Sequence, residues 1–227
     1  MLKRALMMVV LALQLLTIPV HAINNIKFID SGPSEKELVV NQGDKLLLAK
    51  EWYAYKFEIN ENIRLGPVEM KAVDRAEYEK ALAEVRFPLA AMGEYKVYFM
   101  CRRLKNYPSA LALSFLDGST VVFGTYYSFS AEKIHQLAVH ELGHLLDFRL
   151  MKEETWKEYL KLRGLTDAFR YNNAGNVYEN RPQEIFAEDF RLLFGGDMAR
   201  KIPHLNKNLP HPQTIQGLEE FYLSLLK

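Results

Sequence analysis

The stretch 131–150 is the feature that most restricts the fold, because its apolar residues recur at helical spacing. Ser130 is a suitable N-cap, and Glu132 places an acidic side chain in the first turn. The apolar stripe consists of Ile134, Leu137, Ala138, Leu142, Leu145 and Leu146. Such a stripe requires a core on that side of the helix, and His140 and His144 lie among its residues. A buried pair of imidazoles is costly unless something binds both.

His140 and His144 are one helical turn apart, so their imidazoles project from the same face. Two imidazoles at this spacing can bind one tetrahedral zinc ion. Glu141 lies at the flank of that face, where its carboxylate can reach a zinc-bound water. The run His-Glu-Leu-Gly-His matches the H-E-x-x-H arrangement of metalloproteases. The competing interpretation is a surface helix with two exposed histidines, which the surrounding leucines disfavour.

A catalytic zinc ion needs a third protein ligand. The extended form H-E-x-x-H-x-x-G-x-x-H is excluded, because Asp147 and Leu150 occupy its glycine and final histidine positions. Downstream, Glu184 and Glu188 lie one turn apart, so one can bind zinc while the other accepts a hydrogen bond from a ligand histidine. The competing interpretation is two solvated surface glutamates. Asp147, one turn after the second histidine, is another candidate acceptor or an ordinary helix carboxylate.

Strand signals precede helix signals along the chain. Alternating β-formers predict strands over 95–101 and 119–127. Helical periodicity, capping residues such as Asp74, and glycine stops predict helices over 75–86, 131–150, 153–162, 182–194 and 212–226. This order predicts an α+β fold with a small N-terminal sheet region and a helical C-terminal half. We expect one domain over 23–227.

The first 22 residues differ in composition from the rest. Lys3 and Arg4 precede an apolar stretch over 5–20, and Val20-His21-Ala22 carries small residues where signal peptidase reads them. We therefore expect a secretory signal peptide cleaved after Ala22, with an uncleaved anchor or a buried helix as alternatives. The apolar stretch is short for a bilayer span, which needs about 20 residues. The expected location is extracellular, without stable membrane insertion after cleavage.

Charge and cysteine content exclude some classes of protein. The formal net charge is +1, so no basic field indicates a nucleic-acid partner. Cys101 is the only cysteine, which excludes an intrachain disulfide. It ends the apolar run 97–101, where we expect a buried structural thiol rather than a nucleophile. The hydrophobic core must therefore hold the exported domain together.

The other histidines and aromatic residues give weaker signals. His135 points about 140° away from His140 around the helix, so it is not expected to bind the same ion. His204 and His211 lie in a proline-rich stretch and are expected at the surface. Core packing is expected for the aromatic residues after the second strand, with a substrate groove as the alternative; these are Tyr126, Tyr127 and Phe129.

Three segments together carry a family resemblance. They are His140-Glu-Leu-Gly-His144, Tyr178, and the run from Glu184 to Leu192, Glu-Ile-Phe-Ala-Glu-Asp-Phe-Arg-Leu. The chain over about 115–225 resembles the catalytic domain of anthrax lethal factor and the related secreted bacterial Pro-Pro endopeptidases. The run Asp-Gly-Ser-Thr-Val over 117–121 is also similar to a turn and strand of a Pro-Pro endopeptidase. The resemblance implies a zincin-like, gluzincin-type peptidase domain with one zinc ion per chain.

The resemblance also implies roles for single residues. Glu184 would be the third zinc ligand, and Glu188 would accept a hydrogen bond from a ligand histidine. Tyr178 would assist the transition state through its hydroxyl. In the family this tyrosine stands seven positions before the ligand glutamate, where this chain has Val177. Assigning Tyr178 therefore requires a loop one residue shorter, and Tyr171 is held in reserve.

Together these expectations describe a secreted zinc metalloendopeptidase that acts as a monomer on polypeptides. Glu141 would act as base toward a zinc-activated water, with Tyr178 and zinc stabilising the oxyanion. An extended substrate is expected to pair along the predicted second strand. The residues that would contact it are Ser119, Thr120, Val121, Val122 and Phe123. Pro-Pro specificity is one option, and a zinc-bound but non-catalytic binding or inhibitor module is the alternative function.

Overall fold

The computed structural model describes residues 26–29, 71–99, 110–114, 118–165 and 178–227. Its strands are β1 Ile26–Ile29, β2 Tyr95–Phe99, β3 Ala112–Ser114 and β4 Ser119–Val122. Its α-helices are α1 Arg75–Ala83, α2 Ala131–Leu150, α3 Glu153–Leu162, α4 Pro182–Phe194, α5 Asp197–Arg200 and α6 Leu218–Ser224. Short 3₁₀ turns cover Leu89–Met92, Tyr178–Asn180 and Pro212–Thr214. The predicted signal segment, Cys101 and Tyr171 lie outside the described residues.

The fold is α+β, with a small sheet and a mostly helical second half, as the sequence predicts. The strand order is β1-β2-β4-β3, in which β1, β2 and β4 are parallel and β3 is antiparallel to β4. Strand β4 is therefore hydrogen-bonded on both sides. Strand β3 is the outer strand next to it in the described sheet, and its Ser114 pairs with Thr120 of β4.

Helix α2 lies in the core. The Ser130 side chain accepts the backbone N–H of Lys133 at 3.3 Å, so the helix begins at the predicted cap. Every residue over 134–143 is buried, because α1, α4, α5 and β3 cover the helix on several sides. The polar side chains of this stretch are shielded from solvent and therefore need hydrogen-bond partners in the protein. Neither α2 nor any other helix in the described ranges has the length and apolar content that a membrane span requires.

The close approach of α2 to α4 depends on Gly143. A Cβ atom built on Gly143 would lie 2.7 Å from the Cα atom of Ala187, well inside van der Waals contact. Glycine thus lets the two backbones meet beside the histidine pair. Helix α4 starts with Pro182 in its first turn, where the missing N–H has no cost, and it ends at Gly195.

An aromatic cluster joins α3, α4 and α6. The ring of Phe186 lies 5.1 Å from that of Tyr159 and 4.7 Å from that of Tyr222, measured between centroids. The Tyr222 hydroxyl donates to the Phe186 carbonyl at 2.8 Å. A buried tyrosine needs a partner for its hydroxyl, and this bond supplies one. The same bond joins α6 to α4.

Some predicted elements are shorter in the structure. The strand predicted over 119–127 ends at Val122, and the helix predicted over 75–86 ends at Ala83. The helix predicted over 212–226 is divided into the 3₁₀ turn Pro212–Thr214 and helix α6. Gly217 adopts a φ of +83° just before α6, and this left-handed conformation interrupts a continuous helix.

Three side chains lie in other environments than the sequence indicated. Tyr126 and Tyr127 are 67% and 68% exposed, so the prediction of core packing is wrong for them, whereas Phe129 packs partly against the core. His204 is buried rather than on the surface. A histidine in a proline-rich stretch can be buried here because other protein groups bind both of its ring nitrogens. His211 is exposed, as predicted.

Candidate metal centre

His140, His144 and Glu184 form a cluster that could hold a metal ion. The Nε2 atoms of His140 and His144 are 3.1 Å apart, and Oε2 of Glu184 lies 3.2 Å from the first and 3.3 Å from the second. A zinc ion about 2.0–2.1 Å from each of three tetrahedral ligands separates those ligands by about 3.3–3.4 Å. The triangle thus has the size that one tetrahedral ion requires.

Two helices bring these three side chains together. Helix α2 presents the histidines from one face because they are one turn apart. Helix α4 presents Glu184 from its first turn, and the contact between Gly143 and Ala187 holds it at close range. The cluster is therefore built on two packed helices rather than on loops.

The charges of the cluster depend strongly on one another. Burial opposes the charged form of His140, yet the carboxylates of Glu184 and Glu188 outweigh burial and raise its pKa to about 10. Burial likewise opposes ionisation of Glu184, but His144 and His140 hold the pKa of its carboxyl well below the usual range. The site thus stabilises a carboxylate that faces positive charge, which is also what a bound cation supplies.

Glu188 binds the opposite side of the His140 ring. The Nδ1–H group of His140 donates to Oε1 of Glu188 over 2.9 Å. Because this bond holds a proton on Nδ1, Nε2 is the nitrogen that faces the cluster, and its lone pair becomes available to a metal ion once the proton on Nε2 leaves. Of the two glutamates one turn apart, Glu184 faces both imidazoles, and Glu188 contacts the outer nitrogen of one. The roles of Glu184 as a metal ligand and of Glu188 as the acceptor behind a ligand histidine stay predictions.

Arg191 in turn bonds Glu188, and it is not among the site residues predicted from the sequence. Its guanidinium donates to the two carboxylate oxygens of Glu188 at 2.9 and 2.7 Å. It also donates to the carbonyl oxygens of Ala199, Ile202 and Pro203. Arg191 is fully buried. Burial opposes ionisation of Glu188, but the hydrogen bonds from His140 and Arg191 keep the pKa of the Glu188 carboxyl below its usual range. An arginine one turn after a glutamate in an apolar helix was the available sequence signal.

Glu141 lies beside the cluster and has its own buried partner. Its Oε2 atom accepts a hydrogen bond of 2.7 Å from the hydroxyl of Ser114 on β3. Both residues are buried. Ser114 cannot be predicted as a site residue from the sequence, because a single serine in a three-residue strand carries no spacing pattern.

Tyr178 stands at the start of the 3₁₀ turn that precedes α4. The residue is 48% exposed, but its hydroxyl end is buried close to the cluster. This burial, and after it the carboxylates of Glu184 and Glu141, raise the pKa of the Tyr178 hydroxyl. The phenol therefore stays protonated and can donate a hydrogen bond. Asn206 donates to Asn180 in the same turn at 2.8 Å, which ties the turn to the segment after α5.

The prediction that a substrate pairs along residues 119–123 is wrong. Residues 119–123 are buried, and β4 is paired with β2 on one side and with β3 on the other, so it cannot accept an added strand over 119–122. The strand order, which sequence patterns do not reveal, places β3 outside it. Asp147 is buried on α2, and its part in orienting the histidines stays a prediction.

A second buried network lies behind α4. Asp189 accepts a hydrogen bond of 2.7 Å from the Tyr159 hydroxyl and forms an ion pair of 3.0 Å with Arg163. His204 lies 3.2 Å from the other Asp189 oxygen, and its Nδ1 atom accepts the backbone N–H of Asn206. An accepting Nδ1 requires the proton on Nε2, so His204 donates to Asp189. This network stabilises the helical layer.

His135 is also accounted for by partners away from the cluster. It is fully buried, and its Nε2 atom lies 2.7 Å from Oε1 of Glu77 on α1. This agrees with the prediction that it does not bind the same ion as His140.

Comparisons of the chain with protein families, with curated proteins and with solved structures find no match.

Proposed function

We propose that the protein is an exported zinc metalloendopeptidase with a zincin-like, gluzincin-type domain. The observation that carries this proposal is the triangle of His140 Nε2, His144 Nε2 and Glu184 Oε2, with sides of 3.1, 3.2 and 3.3 Å. Two imidazoles and one carboxylate are a donor set of catalytic zinc, which keeps its fourth position for water or substrate. Structural zinc sites instead take all four ligands from the protein.

Glu141 is proposed as the general base. His140, His144 and Glu184 would hold the zinc ion, which when bound would lower the pKa of its water toward about 7 and polarise the peptide carbonyl. The Glu141 carboxylate takes a proton from the water as the water oxygen bonds to the carbonyl carbon. It then delivers that proton to the amide nitrogen as the C–N bond breaks.

Tyr178 is proposed to stabilise the oxyanion. Its raised pKa keeps the hydroxyl protonated at neutral pH, so it can donate to the carbonyl oxygen as negative charge develops. Half of the residue is exposed, which leaves the ring accessible to a bound peptide.

The proposed substrate is an extended polypeptide that pairs with β3. This strand is the outer one of the described sheet, and its Ser114 contacts Glu141, so a peptide added there would lie beside the base. The likeness of residues 117–121 to a Pro-Pro endopeptidase makes Pro-Pro bonds one substrate class to test.

Cleavage of a peptide library tests the proposed function. The library should include Pro-Pro sequences, and the two enzymes compared are the zinc-loaded wild type and Glu141→Gln. Because glutamine keeps the shape but cannot accept the proton, kcat should fall by about 10²–10⁴-fold while zinc content is unchanged. Glu154→Gln, at an exposed position in the first turn of α3, is the matched control and should cleave like wild type.

Two results would contradict the proposal in different ways. Cleavage that survives Glu141→Gln would exclude Glu141 as the base. A wild-type protein that binds zinc and cleaves no peptide would favour the non-catalytic binding or inhibitor module.

A further inference from the structure

A line of buried hydroxyl groups runs from the sheet to Glu141. The Ser114 hydroxyl oxygen lies 2.7 Å from Oε2 of Glu141, 3.1 Å from its backbone oxygen, and 2.7 Å from Oγ1 of Thr120. The hydroxyl of Tyr95 donates to the same Thr120 oxygen at 2.9 Å. All four residues are buried, and the mechanism above assigns no task to the three hydroxyls.

The direction of each hydrogen bond in this line follows from proton counting. The Ser114 hydroxyl donates to Oε2 of Glu141 at 2.7 Å. The single Ser114 proton is then used, so Thr120 must donate to Ser114. The Thr120 proton is used in turn, so the Tyr95 hydroxyl, 2.9 Å away, must donate to Thr120. Burial raises the pKa of Tyr95, so this first donor keeps its proton at any ordinary pH.

We propose that Ser114 is a positioning residue for Glu141, and that Thr120 and Tyr95 hold its hydroxyl in the donating orientation. Ser114 takes one carboxylate oxygen, Oε2, and leaves Oε1 for the attacking water. The inference rests on the proposed peptidase function and goes beyond it, because it names the groups that aim the base.

A glutamate base requires a positioning residue because its side chain is flexible. Its rotatable bonds give it several orientations, and a base works only when it is within about 2.6–3.2 Å of the oxygen or nitrogen atom that carries the proton. The metal ligands on α2 fix the backbone near Glu141 but not its side chain. A hydrogen bond from a hydroxyl on the facing strand removes this freedom, and a linked series of donors strengthens each member.

Kinetics of two variants and a matched control test the proposal. Ser114→Ala should lower kcat by about 10- to 100-fold with KM unchanged, since a hydrogen bond to a charged group is lost. Ser114→Thr, which keeps the hydroxyl, should restore most of the rate. Thr120→Val removes the donor behind Ser114 and should lower kcat by a smaller factor. Thr125→Val makes the same change at another buried threonine, whose hydroxyl bonds to the Tyr127 carbonyl, and should leave kcat unchanged.

Crystal structures of the zinc-loaded wild type, Ser114→Ala and Thr125→Val give a readout that needs no activity. We expect the Glu141 carboxylate to lose its single position in Ser114→Ala and to keep it in Thr125→Val. An unmoved Glu141 carboxylate in Ser114→Ala, or equal losses of kcat in Thr120→Val and Thr125→Val, would overturn the positioning role. If wild type cleaves no peptide and Glu141 still moves in Ser114→Ala, the peptidase function fails while the positioning role stands.

Discussion

The Nδ1 atom of His140 lies 2.9 Å from Oε1 of Glu188, and this bond connects the candidate metal-binding cluster to the interior of α4. Glu188 is itself held by the buried guanidinium of Arg191, which also binds carbonyl oxygens of the chain after α4. The orientation of one ligand ring is thus fixed by a buried ion pair. Changes on α4 should therefore affect both metal binding and stability.

The two glutamates of α4 should differ in their effect on zinc affinity. Glu188→Gln should weaken zinc binding by about 10- to 100-fold, because it disturbs the acceptor of a ligand histidine. Glu184→Ala should weaken it much more, because it removes a ligand. Competition with a chromophoric chelator measures both, with the exposed Glu179→Gln as control. Equal losses, or a larger loss in Glu188→Gln, would reverse the assignment of these residues.

Arg191 should make a large contribution to stability. Arg191→Met leaves the buried Glu188 carboxylate without the guanidinium that bonds both of its oxygens, and such a loss typically costs about 3–5 kcal/mol in the free energy of unfolding. The control is Arg200→Met, which breaks an ion pair with the exposed Asp197 and should cost less than about 1 kcal/mol. Urea unfolding of the metal-free proteins compares the two, and similar costs would show that the buried pair is not structurally important.

Gly143 should be required for the geometry of the cluster. In Gly143→Ala the new Cβ atom meets the Ala187 backbone at 2.7 Å, so α2 and α4 must separate, and zinc affinity should fall together with stability. Gly164→Ala is the comparison, since its Cβ meets no atom within 4 Å but its φ of +67° is strained. That variant should lose about 1–2 kcal/mol of stability and no zinc affinity. Unchanged zinc affinity in Gly143→Ala would show that the close approach is not needed.

Tyr178 should act in the transition state and not in zinc binding. Tyr178→Phe should lower kcat by about 10²–10³-fold through loss of one oxyanion donor, with zinc affinity unchanged. Tyr127→Phe, at a tyrosine that is 68% exposed, should have no effect. If Tyr171→Phe causes the loss and Tyr178→Phe does not, the helper is the tyrosine held in reserve.

The helices and the residues of the candidate metal cluster can be predicted from the sequence, because both depend on short-range spacing. Ser130 marks the start of α2, and the apolar stripe gives its length, so its predicted bounds agree with the structure. His140 and His144 share a face by their spacing alone, and the glutamates of α4 follow the same rule. Where a single residue overrides the periodicity, as Gly217 does before α6, the predicted helix was too long.

Contacts between elements that are far apart in the sequence could not be predicted from short-range spacing. The strand order decides that β4 is internal, and no periodicity in residues 119–127 encodes that order. Ser114 and Glu141 meet only because β3 packs on α2. The sequence predicts a surface position for His204. The residue is buried instead, because Asp189 of α4 and the backbone N–H of Asn206 bond its two ring nitrogens.

The most direct test of the central claim is a zinc titration of peptidase activity. Protein stripped with a chelator should cleave no peptide, and activity should return in proportion to added zinc until one ion is bound per chain. The same titration of Glu184→Ala should restore little activity at that ratio. Cleavage by the stripped wild-type protein, or no cleavage after one equivalent of zinc has bound, would contradict the account.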